Sequence, residues 1–548
     1  MIVENSTKEV KALEQIKTLE LNMPVPPSDI LWQRKDIMIV AAGSGTCLRE
    51  LYFRAAAQGK LKQLMLCQTT ADDYTMGTAE EKIARVLKRA AAINGVQVVV
   101  LYLNCLDILI RIDFDYLERT LSEATGVMVR CFFRGPLGRM DIAHFKPVHE
   151  FMAELPAEHG CINHNLYQLP PLATDVAGVI DTLPDTDEAK VLAAPSGCRA
   201  CLRDGDLLEQ KQGVYVLETK KQDFIFGIED NCVKQCTELM AGGQYKALNL
   251  VSSAVAAFIG FDGNWVANSM ENNLKTRSFN MDGFNDAVYG VSCAQELLAA
   301  EEQEQYSEPA REILILGYSP LLCGAREQYA ECFTYIRSLG YEPRFIGEKA
   351  GGRPALCWVV STAGIAAAKR LNAKYAVPLL LSCPVGEHAM KMWRKHVQEL
   401  CQTENNEIRQ LCIHNYSLQE KDKRKLLFIG DPMQTMGVAH ALWHEGFQHV
   451  QLATLCTGVA SRKLYRNAPG ADKWLIIVDS LTALQDLWED ADVVFADTML
   501  AKVMRSVGAE TKQHIPLPWG VISGRSACIA GSGVLGRNLA EQLKLLVQ

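Results

Sequence analysis

The sequence predicts an α/β protein built from several parallel-sheet, doubly wound domains, and three observations carry that expectation. Short aliphatic runs recur at 36–42, 97–103, 312–316, 355–361, 425–429, 474–478 and 493–496. Most are followed by Gly, Pro or small polar residues and then by apolar residues spaced three and four apart, the pattern of a strand feeding a helix. The length of 548 residues suits roughly three or four domains of about 150 residues. An apolar content of 48% with 22% charged residues is that of a packed globular chain, unlike collagen-like, disordered or membrane sequences.

Charge and leader features narrow the function class. A net charge of −8 without any long basic run argues against a nucleic-acid surface, which needs clustered Lys and Arg. The opening residues MIVENSTKEVKALEQ are charged and contain no apolar signal core. The longest apolar stretch, 248–261, is interrupted by Asn249, Ser252 and Ser253 and falls short of the ~18 residues of a membrane span. The expectation is a cytoplasmic protein with no membrane partner. Eighteen cysteines are many for such a chain, where thiols stay reduced, and they point to metal, cluster or redox chemistry more than to disulfides. Any single one of them is still an ordinary small core residue by default.

Composition shifts mark the domains. Polar breaks at 154–159 (ELPAEH), 299–309 (AAEEQEQYSEP) and 419–424 (QEKDKR) divide the chain into roughly 1–155, 156–305, 306–420 and 421–548. The second break is expected to be an acidic linker with too little apolar content to pack.

An internal repeat changes the architecture. Residues 40–114 read VAAGSGTCLRELYF, then DDYTMG, then a helical stretch, then VLYLNCLDILIRIDF. Residues 192–262 read LAAPSGCRACLRDGD, then DFIFG, then a helical stretch, then NLVSSAVAAFIGFD. Both run AA-x-SG with a Cys in the next two positions, an Asp-aromatic-x-x-Gly turn, a helix, and a buried strand leading to an aromatic-acid pair.

These landmarks resemble the first domain of the nitrogenase component 1 family, so the resemblance implies Rossmann-like domains with an extra N-terminal copy of that domain in 1–155. In the second copy, Cys161 (GCINHNLYQLPP) is similar to the family's first cluster cysteine and Cys198 to its second, with Cys201 close behind. Counting back from the shared Phe-Asp puts the third position at Ser252. In the first copy Cys47 matches the second position and Cys105 the third, the first has no cysteine, and Cys131 (MVRCFFRG) lies in a segment like the family's VRCxGFRG. The rest follows the family's order. ILILGY at 313–318, SLGYEP at 338–343 and AKYAVP at 373–378 resemble its second domain, and KLLFIGDP at 425–432, DADVVF at 490–495 and the region 524–536 its third.

The resemblance implies an iron–sulfur cluster, most simply [4Fe–4S], held by Cys47, Cys105, Cys161 and Cys198 within a chain or across a homodimer. Each copy alone is one ligand short. An iron–molybdenum cofactor is not expected, because its cysteine position falls near Val360 or Ser361, with Cys357 a few residues away, and His514 (KQHIPLPWG) lies near the family's histidine position without its motif. Alone, an isolated His is more often a hydrogen-bonding residue than a ligand.

Other motifs carry less. Cys198 and Cys201 form C-x-x-C, a zinc half-site or redox pair by itself, with no second C-x-x-C at zinc-ribbon spacing. Gly531, Gly533 and Gly536 match G-x-G-x-x-G, yet too few residues follow for a dinucleotide βαβ unit, leaving a glycine turn that could face an anion. No Walker A motif is present, so ATP hydrolysis falls to a separate ATP-dependent iron protein, the partner that the resemblance implies. The expected function is an oxygen-sensitive oxidoreductase subunit relaying electrons through the cluster, in an oligomer with another component 1-like subunit. A scaffold for metal-cofactor assembly and a cluster-free α/β binding protein are the alternatives.

Overall fold

The structure, a computed structural model, describes residues 25–525 apart from 111, 135–136, 139–143, 186, 196–206, 221, 271–273, 307, 403–405, 411–421, 511–512 and 518. Its described strands form four sheets. Sheet 1 contains β1 (Ile37–Gly43), β2 (Leu64–Gln68), β3 (Val98–Leu103) and β4 (Met128–Phe133) in the order β2-β1-β3-β4. Sheet 2 contains β5 (Glu188–Ala193), β6 (Val214–Val216), β7 (Ala247–Ser252) and β8 (Lys275–Phe279) in the order β6-β5-β7-β8. Sheet 3 contains β9 (Glu312–Leu316), β10 (Glu342–Phe345), β11 (Leu356–Val359), β12 (Leu379–Leu381) and β13 (Ile408–Gln410) in the order β10-β9-β11-β12-β13. Sheet 4 contains β14 (Leu426–Ile429), β15 (Val450–Leu455), β16 (Leu475–Val478), β17 (Val493–Ala496) and β18 (Gln513–Pro516) in the order β16-β15-β14-β17-β18.

Every strand pair in the four sheets is parallel. All seven aliphatic runs singled out above contain a strand. The central strands β1, β3 and β7 are buried along their whole length, as continuous apolar runs in a sheet covered by helices on both faces should be. No described helix is long and apolar enough to cross a membrane.

Sheets 1 and 2 share a strand order and also a sequence of turns. After β2 the backbone N–H of Thr70 donates to Asp73 Oδ2 at 2.7 Å, and after β6 that of Lys220 donates to Asp223 Oδ2 at 2.6 Å. Gly77 and Gly227 follow with φ of +70° and +100°, and each turn leads into a helix of 13 residues, Ala79–Ala91 or Glu229–Ala241. Asn104 then caps the helix Cys105–Leu109 as Ser253 caps Ala254–Phe258. Asp113 caps Phe114–Thr125 as Asp262 caps Gly263–Ser269. These caps pair Cys105 with Ala254, two places beyond the Ser252 reached by counting from Phe-Asp. The aspartate that does the same capping work in both sheets is Asp113, not Asp115. Ser252 ends β7, its Oγ donating to Met281 O at 2.6 Å.

The expected acidic linker is a correction. Residues 299–302 are the last turn of the helix Ala287–Glu302, with Ala299 fully buried. Glu302 is buried because Arg344 meets both its carboxylate oxygens at 2.9 Å, a bidentate pair that lets a charged residue leave water. The same helix crosses Asp175–Thr182 at glycines. A Cβ at Gly178 would overlap Ala287 O, and one at Gly290 would overlap Asp175 O.

Candidate functional site at the facing sheet edges

In a doubly wound sheet, ligands sit outside the carboxyl ends of the strands where the winding direction reverses. In sheet 1 that point lies between β1 and β3. Cys47 is in the first turn of the helix Gly45–Ala57 that follows β1, and Cys105 opens the helix that follows β3. The two loops meet because Gly43 has no side chain: at φ +135° its Cβ would collide with the Asn104 amide. Asn104 joins them, its Nδ2 donating to Ala42 O at 2.5 Å and its Oδ1 accepting from the Leu106 N–H at 2.7 Å.

Asp107 completes this capping box, with Oδ2 accepting from the Asn104 N–H at 3.1 Å and from Asn104 Nδ2 at 2.9 Å. Tyr74 donates to Asp107 Oδ1 at 3.1 Å, and Thr69 donates to the Tyr74 hydroxyl at 2.9 Å. Asp107 is fully buried, and burial pushes its pKa up to about 6 against the opposing hydrogen bonds and the charge of Arg134. Arg134 donates from Nη2 to Cys47 O at 2.9 Å and lies over the Tyr102 ring at 4.7 Å. Burial raises the Cys47 thiol, which the Arg134 guanidinium and a 3.7 Å contact from Ser44 Oγ oppose. Burial pushes Cys105 up to about 12.

Sheet 2 presents its own carboxyl ends to this face. Cys105, Leu106 and Leu137 pack in one apolar cluster with Ala254 and Val255 from the helix after β7. Tyr74 meets Phe258 and Phe284 at ring distances of 5.9 and 6.0 Å, and Thr46 Oγ1 donates to Thr174 Oγ1 at 3.2 Å. The helices after the third strand of each sheet therefore face one another.

The structure does not gather all the sequence candidates. Cys161 is exposed at the opposite, amino-terminal edge of sheet 1: the next residue donates its N–H to Lys35 O at 3.0 Å, ahead of β1, and a Cβ at Gly95, ahead of β3, would overlap Cys161 O. The seven residues of β1 alone span about 23 Å, beyond the reach of a shared cluster within one chain. Cys198, Cys201 and the glycines 531–536 lie outside the described residues. Cys131 is buried in β4 opposite Leu101, and Cys357 is buried in β11 opposite Leu379. His514 sits on β18 within hydrogen-bond distance of Ala496 O (3.1 Å), stacks on Trp488 at 6.2 Å, and has its pKa lowered by burial. Among the described residues, no group of three His, Cys, Asp or Glu side chains is arranged to hold a metal ion. The four-thiol set therefore does not fit within one chain, and two thiols, Cys47 and Cys105, share the site.

Asp107, Tyr74, Asn104 and Arg134 were not among the sequence candidates. The only local signal was the Asn-x-x-Asp spacing of a capping box at 104–107, which does not reveal burial.

No protein-family model matches the chain, and no curated protein sequence matches it. Among solved structures, nitrogenase Cp1 at pH 6.5 is similar with a TM-score of 0.50 at 12% identity, over 72% of this chain and 94% of that one. Nitrogenase Cp1 at pH 5 is similar with a TM-score of 0.44 at 13% identity, over 67% and 90%. The first likeness, together with the four parallel sheets, shows that this chain has a nitrogenase component 1-like fold.

Proposed function

We propose that the chain is a subunit of a nitrogenase-like oxidoreductase whose centre is the face where the carboxyl ends of sheets 1 and 2 meet. The observation that supports this reading is the placement of Cys47 and Cys105 on the two loops of the sheet 1 switch point. Those thiols would hold one side of an iron–sulfur cluster, with Cys198 or the thiols of a second component 1-like subunit supplying the rest. Such a cluster supplies one-electron transfer. Around it Leu106, Leu137, Ala254 and Val255 would exclude water, and Arg134 would favour the thiolate of Cys47. An ATP-dependent iron protein would deliver the electrons. A second reading, a scaffold on which a metal cofactor is assembled, is favoured by the separation of Cys161 from Cys47 and Cys105, since an incomplete ligand set suits a cargo that leaves.

The test is anaerobic purification followed by iron and sulfide analysis and by visible and electron-paramagnetic-resonance spectra of the oxidised and reduced protein. Iron that is lost in Cys47→Ser, Cys105→Ser and Cys198→Ser but kept in Cys161→Ser supports an intrachain centre. Loss in Cys161→Ser as well points to a homodimer. Metal-free wild-type protein rejects the cluster. Turnover with a reductant and an iron protein separates the oxidoreductase from the scaffold.

A further inference from the structure

The domains of sheets 3 and 4 meet along two helices, Gly386–Leu400 after β12 and Pro432–Glu445 after β14, which pack against each other. A Cβ at Gly437 would overlap Cys383 O, so the second helix lies directly on the segment that leads into the first. Across this seam the rings of His388 and His444 stack with centroids 4.1 Å apart and planes 19° from parallel. His440, one turn before His444 on the same helix and buried, lies nearly parallel to His388 at 6.2 Å. Three imidazoles thus form a row that leads from two half-buried rings to a buried one.

Neutral imidazoles stack as other flat rings do, but two imidazolium rings at this spacing repel, and the close approach at Gly437 leaves the helices little room to part. The titratable and charged groups around His388 are His440 and His444 on the facing helix and Glu387 and Lys391 on its own, while the strand Leu379–Leu381 brings none. Burial, then the charge of His444, then that of Lys391 hold the His388 ring below its usual range. Glu387 is exposed and does not offset them.

We propose that the His388–His444 stack is a pH-sensitive clasp, closed at neutral pH and loosened in mild acid, that regulates how tightly the helices after β12 and β14 hold together. The clasp is independent of any cluster at Cys47 and Cys105. A histidine that resists its proton in the closed state favours closure above its ordinary 6.5, and that contribution is lost as pH falls. At about pH 5.5 a ring released from the stack is about tenfold more protonated than neutral. Opening of the seam should therefore rise severalfold from about pH 7.5 to about pH 5.5, to about tenfold at most for one such ring.

The experiment is amide hydrogen exchange of the full chain followed by mass spectrometry, with rates corrected for the intrinsic effect of pH. Peptides from 386–393 and 437–445 are expected to open severalfold more at about pH 5.5 than at about pH 7.5, while the helix Ala79–Ala91 beside sheet 1 does not follow them. His388→Phe keeps a ring that stacks and removes one that titrates, so the rise should shrink to less than about twofold. In parallel, exchange at the imidazole C2 position titrates each histidine, and His388 is expected below 6.5 in the wild type and higher in His444→Gln. A wild-type seam that does not open further in acid, a rise shared equally by Ala79–Ala91 or kept in full by His388→Phe, or a His388 titration unmoved by His444→Gln would overturn the proposal.

Discussion

The Tyr74 hydroxyl donates to Asp107 Oδ1 at 3.1 Å, joining the turn after β2 to the helix after β3 through a carboxyl group shut away from solvent. This bond places a titratable group between the two thiols' loops and the facing sheet. It also makes the pH dependence of the fold accessible to a single substitution.

Folded Asp107 titrates at about 6, while the same carboxyl in the unfolded chain titrates near its ordinary 3.8. Between those values the folded state holds more protons than the unfolded state, so stability falls as pH rises. Its contribution is whole below about 3.8 and is lost as pH rises through about 6, a change of about 3 kcal/mol at most. Asp107→Asn, which cannot titrate, is expected to lose less Tm than the wild type between about pH 4 and about pH 7, followed by circular dichroism. Parallel Tm profiles for the two proteins would contradict this.

Asn104→Ala removes a helix cap and the amide that bonds Ala42 O across the loop pair. The expected cost is about 2 kcal/mol, read as a shift in the urea midpoint. Ser253→Ala, at the matching position of sheet 2, removes a single bond of 3.3 Å to the Ala256 N–H and should cost about 1 kcal/mol. Equal effects would argue that the amide does no more than cap.

Gly178→Ala and Gly290→Ala place a methyl group into backbone carbonyls at the crossing of Asp175–Thr182 and Ala287–Glu302. Backbone cannot swing aside as a long side chain does. Each variant is expected to lose about 3 kcal/mol, near the upper end for overpacking, and thermal melts would measure it. Gly59→Ala, with nothing within 4 Å but φ of +67°, should cost only the backbone strain, about 1 kcal/mol.

Cys161 is the one exposed thiol among the described cysteines. In native protein it should be alkylated by iodoacetamide ahead of Cys105, Cys232 and Cys332, which are buried, as peptide mass spectrometry would resolve. Labelling of Cys105 at the rate of Cys161 would show that the facing helices separate in solution.

The strands were legible because a strand covered on both faces has no alternation to obscure: β1 and β3 read as unbroken aliphatic runs, and the Gly and small residues after them mark the turns. The Asp-aromatic-x-x-Gly turns were legible for a similar reason, since a carboxylate bonding the backbone N–H three residues earlier is local chemistry. Glu302 misled, because a charged residue reads as solvent-facing until its partner Arg344, 42 residues away, is placed beside it.

By itself the sequence determined the α/β class, the parallel strands, and the presence of thiols directly after β1 and β3, all properties written in neighbouring residues. Only the tertiary structure decided that the carboxyl ends of sheets 1 and 2 face each other, that Cys105 meets Ala254, and that Asp107 and Arg134 share the site with Cys47. It also decided that Cys161 stands at the far edge, because the backbone bond from Ile162 to Lys35 ties that segment ahead of β1. Burial and the meeting of distant loops arise from packing between sheets, which no spacing along the chain encodes.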